Sequence, residues 1–69
     1  MEQQEYPKIS LRAARVNAEL TMEEAAKRLG IERATLARYE RGDTEPREGT
    51  INRMAEVYRF PRMYLRLPK

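Results

Sequence analysis

The chain has 69 residues, of which 41% are hydrophobic and 36% charged, so it can form one small domain with a modest core under a charged surface. It contains no Cys and no His, which excludes disulfides, thiol nucleophiles, imidazole bases and the usual transition-metal sites. The formal net charge is +3, with −1 in residues 1–32 and +4 in residues 33–69. Eleven of the 14 basic residues are Arg, so the basic half suits an anionic partner.

The first eight residues show no helical spacing, and we predict a flexible N-terminal arm over 1–8 followed by one domain over 9–67. The first helix is predicted from Ser10, whose hydroxyl is available as the N-cap, because the positions after it repeat at i, i+3, i+4 and i+7. That face consists of Leu11, Ala14, Arg15 and Ala18.

The second and third helices are marked by their end signals. Thr21 and Glu24 have the spacing of a capping box, which predicts that the second helix begins there. Gly30 is placed to end that helix in a left-handed conformation, and Gly42 ends the next periodic stretch, residues 33–41, in the same way.

A polar turn with Pro46 separates the third helix from the fourth, in which Ile51, Met54, Ala55 and Tyr58 repeat at helical spacing. Pro61 suits the first turn of a short fifth helix. Because no segment alternates apolar and polar residues, the predicted fold is all-α, a compact five-helix domain without strands. The predicted core is Leu11, Ala14, Leu20, Ala26, Leu29, Ile31, Leu36, Tyr39, Ile51, Met54, Ala55, Tyr58 and Leu65.

The second and third helices together have the lengths and the short glycine-containing turn of a helix-turn-helix motif, over about residues 22–41. The second helix of such a motif can enter the major groove of DNA. With Leu36 and Tyr39 facing inward, the outward face of the third helix presents small and cationic side chains. Those residues are Arg33, Ala34, Ala37, Arg38 and Arg41. Alanine is also simply a good helix former, so this pattern alone leaves a solvated face open.

The order of several short motifs resembles the Cro and phage-repressor type of helix-turn-helix domain, also called the XRE family. The similarity covers about residues 9–66. The motifs are Arg15-Val16-Asn17, Leu20-Thr21-Met22-Glu23-Glu24-Ala25-Ala26, Leu29-Gly30-Ile31 and Leu36-Ala37-Arg38-Tyr39-Glu40-Arg41-Gly42, followed by Pro46 and Thr50.

This resemblance implies a five-helix domain that binds double-stranded operator DNA, commonly as a homodimer. It implies base readout by Arg33, Ala34, Ala37 and Arg38. It also implies phosphate contacts in the loop from Arg41 to Arg47 and at the start of the fourth helix. The residues expected to contact phosphate are Arg41, Arg47 and Thr50.

Five positions depart from the family pattern. Met22 replaces the usual Gln, Asp43 stands where Lys or Arg often meets the DNA backbone, and Glu32 replaces a Ser or Thr cap. Glu19 and Arg59 replace glycines at two helix ends, where a left-handed backbone would cost about 1 kcal/mol each. These departures are consistent with weaker DNA binding, altered specificity or a protein partner.

Two charged residues fall on faces that should be buried. Arg15 shares the apolar face of the first helix, and Glu40 follows Leu36 by four residues on the third. A buried charge is tolerated when it meets its counter-charge, and the resembled family has a buried Arg–Glu pair at these positions. We therefore expect an Arg15–Glu40 pair that sets the angle of the third helix; the alternative is that both side chains reach solvent.

The predicted function is a sequence-specific DNA-binding transcriptional regulator, expected to be a repressor, that needs no cofactor. The alternative is a protein-interaction module, an adaptor or an antitoxin-like partner, with the same fold. A protein partner or second copy would bind the C-terminal segment, where Phe60, Met63 and Tyr64 exceed what the core obviously needs; the alternative is that these side chains close the small core. No catalytic or metal-binding motif is present, so we expect no enzyme activity. The short apolar runs and the acidic start favour a cytoplasmic protein.

Overall fold

A computed structural model describes residues 7–68 as four α-helices, one 3₁₀ helix and one pair of short strands. In chain order, the strand β1 precedes the four helices, and the 3₁₀ helix leads into the strand β2. The elements are β1 Ile9–Ser10, α1 Leu11–Asn17, α2 Met22–Leu29, α3 Arg33–Arg41, α4 Glu48–Tyr58, the 3₁₀ helix Arg62–Tyr64 and β2 Leu65–Arg66.

The first two helices begin at the caps that the sequence predicts. The Ser10 hydroxyl accepts a hydrogen bond from the Ala13 amide at 3.0 Å. At α2 the capping box is complete: Thr21 Oγ1 accepts from the Glu24 amide at 3.0 Å, and Glu24 Oε1 accepts from the Thr21 amide at 2.9 Å. The hydrogen bond that the Glu24 carboxylate accepts from the Thr21 amide is the largest cause lowering the pKa of Glu24.

Glycine ends both α2 and α3, as predicted. Gly30 has φ 73° and Gly42 has φ 85°, in the left-handed region where a side chain is strained. Gly42 has a second constraint, since a Cβ there would lie 3.0 Å from the Cβ of Pro68. The C-terminal segment therefore packs directly against the end of α3.

The structure corrects the expected five helices without strands. The fifth helical segment is a single 3₁₀ turn, after which Leu65 is extended, with φ −86° and ψ 124°. Leu65 and Arg66 then pair in parallel with Ile9 and Ser10. A two-residue strand is too short to show alternation, because its ladder is set by where the fold brings the two chain ends together.

The core lies between the four helices and β2. It matches most of the predicted set, but Ala25 was not predicted and is completely buried, while Ile31, Tyr39 and Ala55 are only partly buried. The buried apolar residues among those described are Leu11, Ala14, Leu20, Ala25, Ala26, Leu29, Leu36, Ile51, Met54, Tyr58 and Leu65.

The predicted arm, residues 1–8, falls mainly outside the described residues, which begin at Pro7. Pro7 and Lys8 are exposed and have no regular secondary structure. Within residues 7–68, none of the helices has the length and apolar character required to cross a bilayer.

Arg15 joins three parts of the fold through its guanidinium group. Its Nε donates to Glu40 Oε2 at 2.8 Å and its Nη2 to Glu40 Oε1 at 3.3 Å, so the pair is bidentate. Its Nη1 donates to the Leu20 carbonyl, in the turn between α1 and α2, at 3.0 Å. Only 9% of the Arg15 side chain and 5% of the Glu40 side chain are exposed. The hydrogen bond to Glu40 raises the pKa of Arg15, against the opposing effect of burial.

Two residues other than glycine have left-handed backbones. Glu19, in the turn between α1 and α2, has φ 63°, and Arg59, which caps the C-terminus of α4, has φ 56°. In this region the Cβ crowds the following carbonyl oxygen, at a cost of roughly 1–2 kcal/mol. Both positions therefore store strain that a glycine would relieve.

We predict that Glu19→Gly and Arg59→Gly each stabilise the domain. The strain energy relieved by glycine exceeds the entropic cost of the more flexible unfolded chain, so the free energy of unfolding should rise by about 0.5–1 kcal/mol. Urea unfolding measures this gain. The matched control is Glu19→Ala, which removes the charge but keeps the Cβ and should give no such gain. An equal gain in the Ala and Gly variants would show that charge, and not backbone strain, limits stability.

We predict that the Arg15–Glu40 pair is costly to break and cheaper to replace. Glu40→Leu or Arg15→Met leaves a buried partner unpaired and should each lower the free energy of unfolding by about 3–5 kcal/mol. The double variant should lose only about 1–3 kcal/mol, because the Leu20 carbonyl still loses its donor. Urea unfolding of the three variants closes the cycle, and single losses that simply add would contradict coupling between the two residues.

Candidate nucleic-acid interface

The candidate interface is centred on the outward face of α3. Arg33, Ala34 and Arg38 are exposed and Ala37 is half-buried, while Leu36 on the opposite side is completely buried. One side of α3 is therefore fixed in the core, and the other presents two arginines around two small residues.

The turn between α2 and α3 holds the two helices against each other. Gly30 forms the left-handed cap of α2, and the Ile31 amide then donates a hydrogen bond to the Ala26 carbonyl at 3.0 Å. Ile31 is half-buried and packs against the core, so the turn is tied to α2 by a backbone bond and to the interior by a side chain. Helix α3 begins at Arg33, after Glu32, whose side chain forms no cap hydrogen bond.

The arginines of α3 differ in their partners. Among residues 7–68, neither Arg33 nor Arg38 has an acidic group within ion-pair distance. Arg41 is paired: its Nη2 lies 2.8 Å from Asp43 Oδ2, and its Nε donates to the same oxygen at 3.0 Å. The guanidinium groups of Arg33 and Arg38 are thus open to an external anion, whereas that of Arg41 is paired within the chain.

The start of α4 contains the other expected phosphate contacts. Arg47 is exposed and precedes the first turn without a side-chain cap bond, and Thr50 is half-buried in that turn. Glu48, also in the first turn, accepts from Arg62 of the 3₁₀ helix, with Nη2 to Oε2 at 3.0 Å. The uncapped N-terminus leaves backbone amides that suit an anion, although Glu48 adds negative charge beside them.

Behind this face lies the Arg15–Glu40 pair, with Glu40 contributed by α3 itself. Tyr58 of α4 is buried close by, and among the described residues its hydroxyl has no hydrogen-bond partner. Burial raises the pKa of Tyr58 to about 12, assisted by the Glu40 charge and opposed by that of Arg15. The phenol is therefore neutral at neutral pH, and the pair supplies the charges behind α3.

A cleft of about 530 Å³ lies elsewhere, between the α1–α2 turn and the end of α4. No residue of α3 lines it, so it is separate from the candidate interface. The described residues also contain no group of three or more His, Cys, Asp or Glu side chains that could hold a metal ion. The cleft is lined by Asn17, Ala18, Glu19, Leu20, Glu24, Arg28, Val57, Tyr58 and Arg59.

The structure contains site contacts that the sequence reasoning did not identify. Asp43 was noted as a departure from the family pattern but not as the partner of Arg41, and the Glu48–Arg62 pair was not anticipated. The first has a local signal, an Arg and an Asp flanking a glycine that turns the chain left-handed. The second joins residues 14 positions apart, so it depends on how the 3₁₀ helix packs on α4.

Comparisons with known proteins agree with this arrangement. A family model described as a helix-turn-helix domain matches residues 9–66, which cover α1 to α4 and both strands. None of the curated proteins or solved structures compared with the chain gives a match. The matched region includes α2, the turn at Gly30 and α3 in order, and it is consistent with the Cro and phage-repressor type. The chain therefore belongs to the helix-turn-helix domain family of DNA-binding domains.

Proposed function

We propose that this protein is a sequence-specific regulator of transcription that places α3 in the major groove of double-stranded DNA. The observation that carries the proposal is the outward face of α3, where Arg33 and Arg38 have no ion-pair partner among the described residues. Ala34 and Ala37 are small enough for the helix to approach base edges closely. A face kept only for solubility has no need for this combination of small and unpaired cationic side chains.

Base readout would come from the two arginines. A guanidinium group can donate two parallel hydrogen bonds to O6 and N7 of guanine, which is the commonest specific contact in the major groove. Arg33 is in the first turn of α3 and Arg38 lies five residues later, so they would reach different base pairs. Ala34 and Ala37 would contribute close packing and contact with thymine methyl groups.

Phosphate contacts would set the register of the domain on the duplex. Arg41 and Arg47 flank the loop after α3, and Thr50 offers a hydroxyl in the first turn of α4. The backbone amides at the start of α4 add an anion site that carries no sequence information. The bidentate Arg15–Glu40 pair would serve this readout indirectly by fixing the direction of α3.

We further propose that the domain acts as a repressor and binds DNA as a homodimer. Two copies related by a two-fold axis would place two α3 helices in successive major grooves, about one helical turn apart. Met63, in the C-terminal segment, leaves 67% of its surface exposed and is an apolar side chain available to a second copy.

A second candidate, a protein-interaction module with the same fold, is favoured by the charge of the expected phosphate-contacting loop. Residues 41–50 contain two arginines against three acidic side chains, so this segment has a net negative charge. Asp43 and Glu48 form ion pairs with Arg41 and Arg62 of the same chain. A net negative loop is unfavourable for DNA but compatible with a protein partner. That partner would bind through the neighbouring C-terminal segment, which contains Arg62.

We predict that affinity for duplex DNA falls steeply with salt. Each chain should neutralise about three to five phosphates, so a plot of log affinity against log salt should have a slope of roughly −3 to −5 per monomer. Fluorescence anisotropy with duplexes selected from a random pool measures the slope, and the selected sites report half-site symmetry and spacing. A flat salt response would falsify DNA binding and favour the protein-interaction module.

We predict that Arg33→Ala and Arg38→Ala each cost about 1–3 kcal/mol on the selected site and relax the preference at one base position. Arg47→Ala, which removes an expected phosphate contact, should weaken binding to matched and scrambled duplexes alike.

The matched control is Arg28→Ala, because Arg28 is an exposed arginine on α2 that lines the separate cleft. It should leave the preference for the selected site unchanged. If Arg33→Ala and Arg38→Ala, like Arg47→Ala, weakened binding equally on matched and scrambled duplexes, base readout by α3 would be ruled out.

A further inference from the structure

The ion pair between Arg41 and Asp43 places an acidic group on a side chain expected to contact DNA. Arg41 Nε donates a hydrogen bond to Asp43 Oδ2 at 3.0 Å, and Arg41 Nη2 lies 2.8 Å from the same oxygen, within ion-pair distance. The two residues flank Gly42, whose φ of 85° turns the chain back so that an Arg and an Asp two positions apart can meet. The pair is therefore built into the C-terminal cap of α3.

The pair lies on the surface and is not part of the folded core. The Arg41 side chain is 61% exposed and that of Asp43 is 52% exposed. An exposed pair contributes little to stability, but it can open at little cost when a better anion approaches. The Nε–Nη2 edge that now faces the carboxylate is one of the two guanidinium edges that can bind a phosphate with two hydrogen bonds.

We propose that Asp43 is an intramolecular competitor for the DNA phosphate that Arg41 contacts, and so holds the affinity of the domain below what its arginines alone would give. This inference rests on the proposed DNA-binding function. On binding, the Nε–Nη2 edge of Arg41 exchanges Asp43 for phosphate, and the released carboxylate then faces the phosphate within a screening length. Asp43 is thus a positioning residue that acts through Arg41.

The expected gain in DNA affinity has two sources, the loss of the competing ion pair and the loss of repulsion between Asp43 and phosphate. An exposed ion pair shifts an equilibrium by up to about fivefold, and removing the carboxylate also removes its repulsion of the phosphate. We expect Asp43→Asn to raise the affinity for the selected duplex about three- to tenfold at roughly 0.1 M salt. It should also make the salt slope steeper by up to about 0.9, because no carboxylate remains beside the contacted phosphate to offset one neutralised charge.

Two comparisons isolate the role of Arg41. In an Arg41→Ala background, Asp43→Asn should change the affinity by less than about twofold and leave the salt slope unchanged, because no guanidinium remains to be released. The matched control is Glu56→Gln, which makes the same change in net charge at an exposed α4 residue that forms no ion pair within the described part of the chain. It should change the affinity by less than about 1.5-fold, an upper limit set by screening at this salt.

The outcomes separate this inference from the proposed function. If Asp43→Asn raises the affinity equally with Arg41 or Ala at position 41, Asp43 acts by general repulsion and the competitor role is overturned. If the wild type binds DNA with a steep salt slope but Asp43→Asn matches it, the inference fails and the DNA-binding function stands. If neither the wild type nor any variant binds a duplex at low salt, the proposed function itself fails. The urea midpoints of these surface variants check that all remain folded.

Discussion

The position of α3 depends on the guanidinium group of Arg15. All three of its nitrogens donate, two to the Glu40 carboxylate on α3 and one to the Leu20 carbonyl in the turn before α2. A buried ion pair gains little stability overall, because desolvation cancels most of the attraction, but its bonds are directional. Apolar contacts would allow α3 to rotate or slide by small amounts, whereas a bidentate contact satisfies only one arrangement. The pair therefore determines orientation more than it determines stability.

The composition of the core explains why the directional Arg15–Glu40 pair is useful in this domain. Of the 11 buried apolar residues in the described part of the chain, three are alanines, two of them adjacent in α2. Alanine lets helices pack closely but contributes little buried area, and a domain of this size buries a smaller share of its surface on folding than a larger domain does. The caps of α1 and α2 determine where the helices begin, and left-handed glycines determine where α2 and α3 end. Arg15 then relates α1 to α3 across this small core.

Features set by neighbouring residues could be predicted from the sequence, and most features set by tertiary packing could not. The exception is the Arg15–Glu40 pair, which was expected because two charges fall on apolar faces and because of the family resemblance. The Ser10 cap, the Thr21–Glu24 box and the terminal glycines involve residues a few positions apart, so their spacing reveals them. The left-handed strain at Glu19 and Arg59 was anticipated from family resemblance and is present. The pairing of β1 with β2 and the shortening of the last helix depend on contacts between distant parts of the chain. Such contacts leave no periodic signal in two or three residues.

The charges of the molecule show why a count of arginines does not describe a binding surface. The chain is basic overall, yet its arginines occur in three states that the sequence does not distinguish. Arg15 is buried and fully used by the fold, while Arg41 and Arg62 are exposed but paired with nearby carboxylates. Arg33 and Arg38 are exposed and, among residues 7–68, unpaired. Long-range attraction to an anion depends on the sum of these charges, but a close contact requires donors that are free when the anion arrives. Among the described residues, such donors are present on α3 at Arg33 and Arg38 and before α4 at Arg47, whereas Arg41 at the end of α3 is paired with Asp43. An anion that meets this surface can therefore bind the guanidinium groups of Arg33, Arg38 and Arg47 directly, whereas Arg41 contributes its Nε–Nη2 edge only after its pair with Asp43 opens.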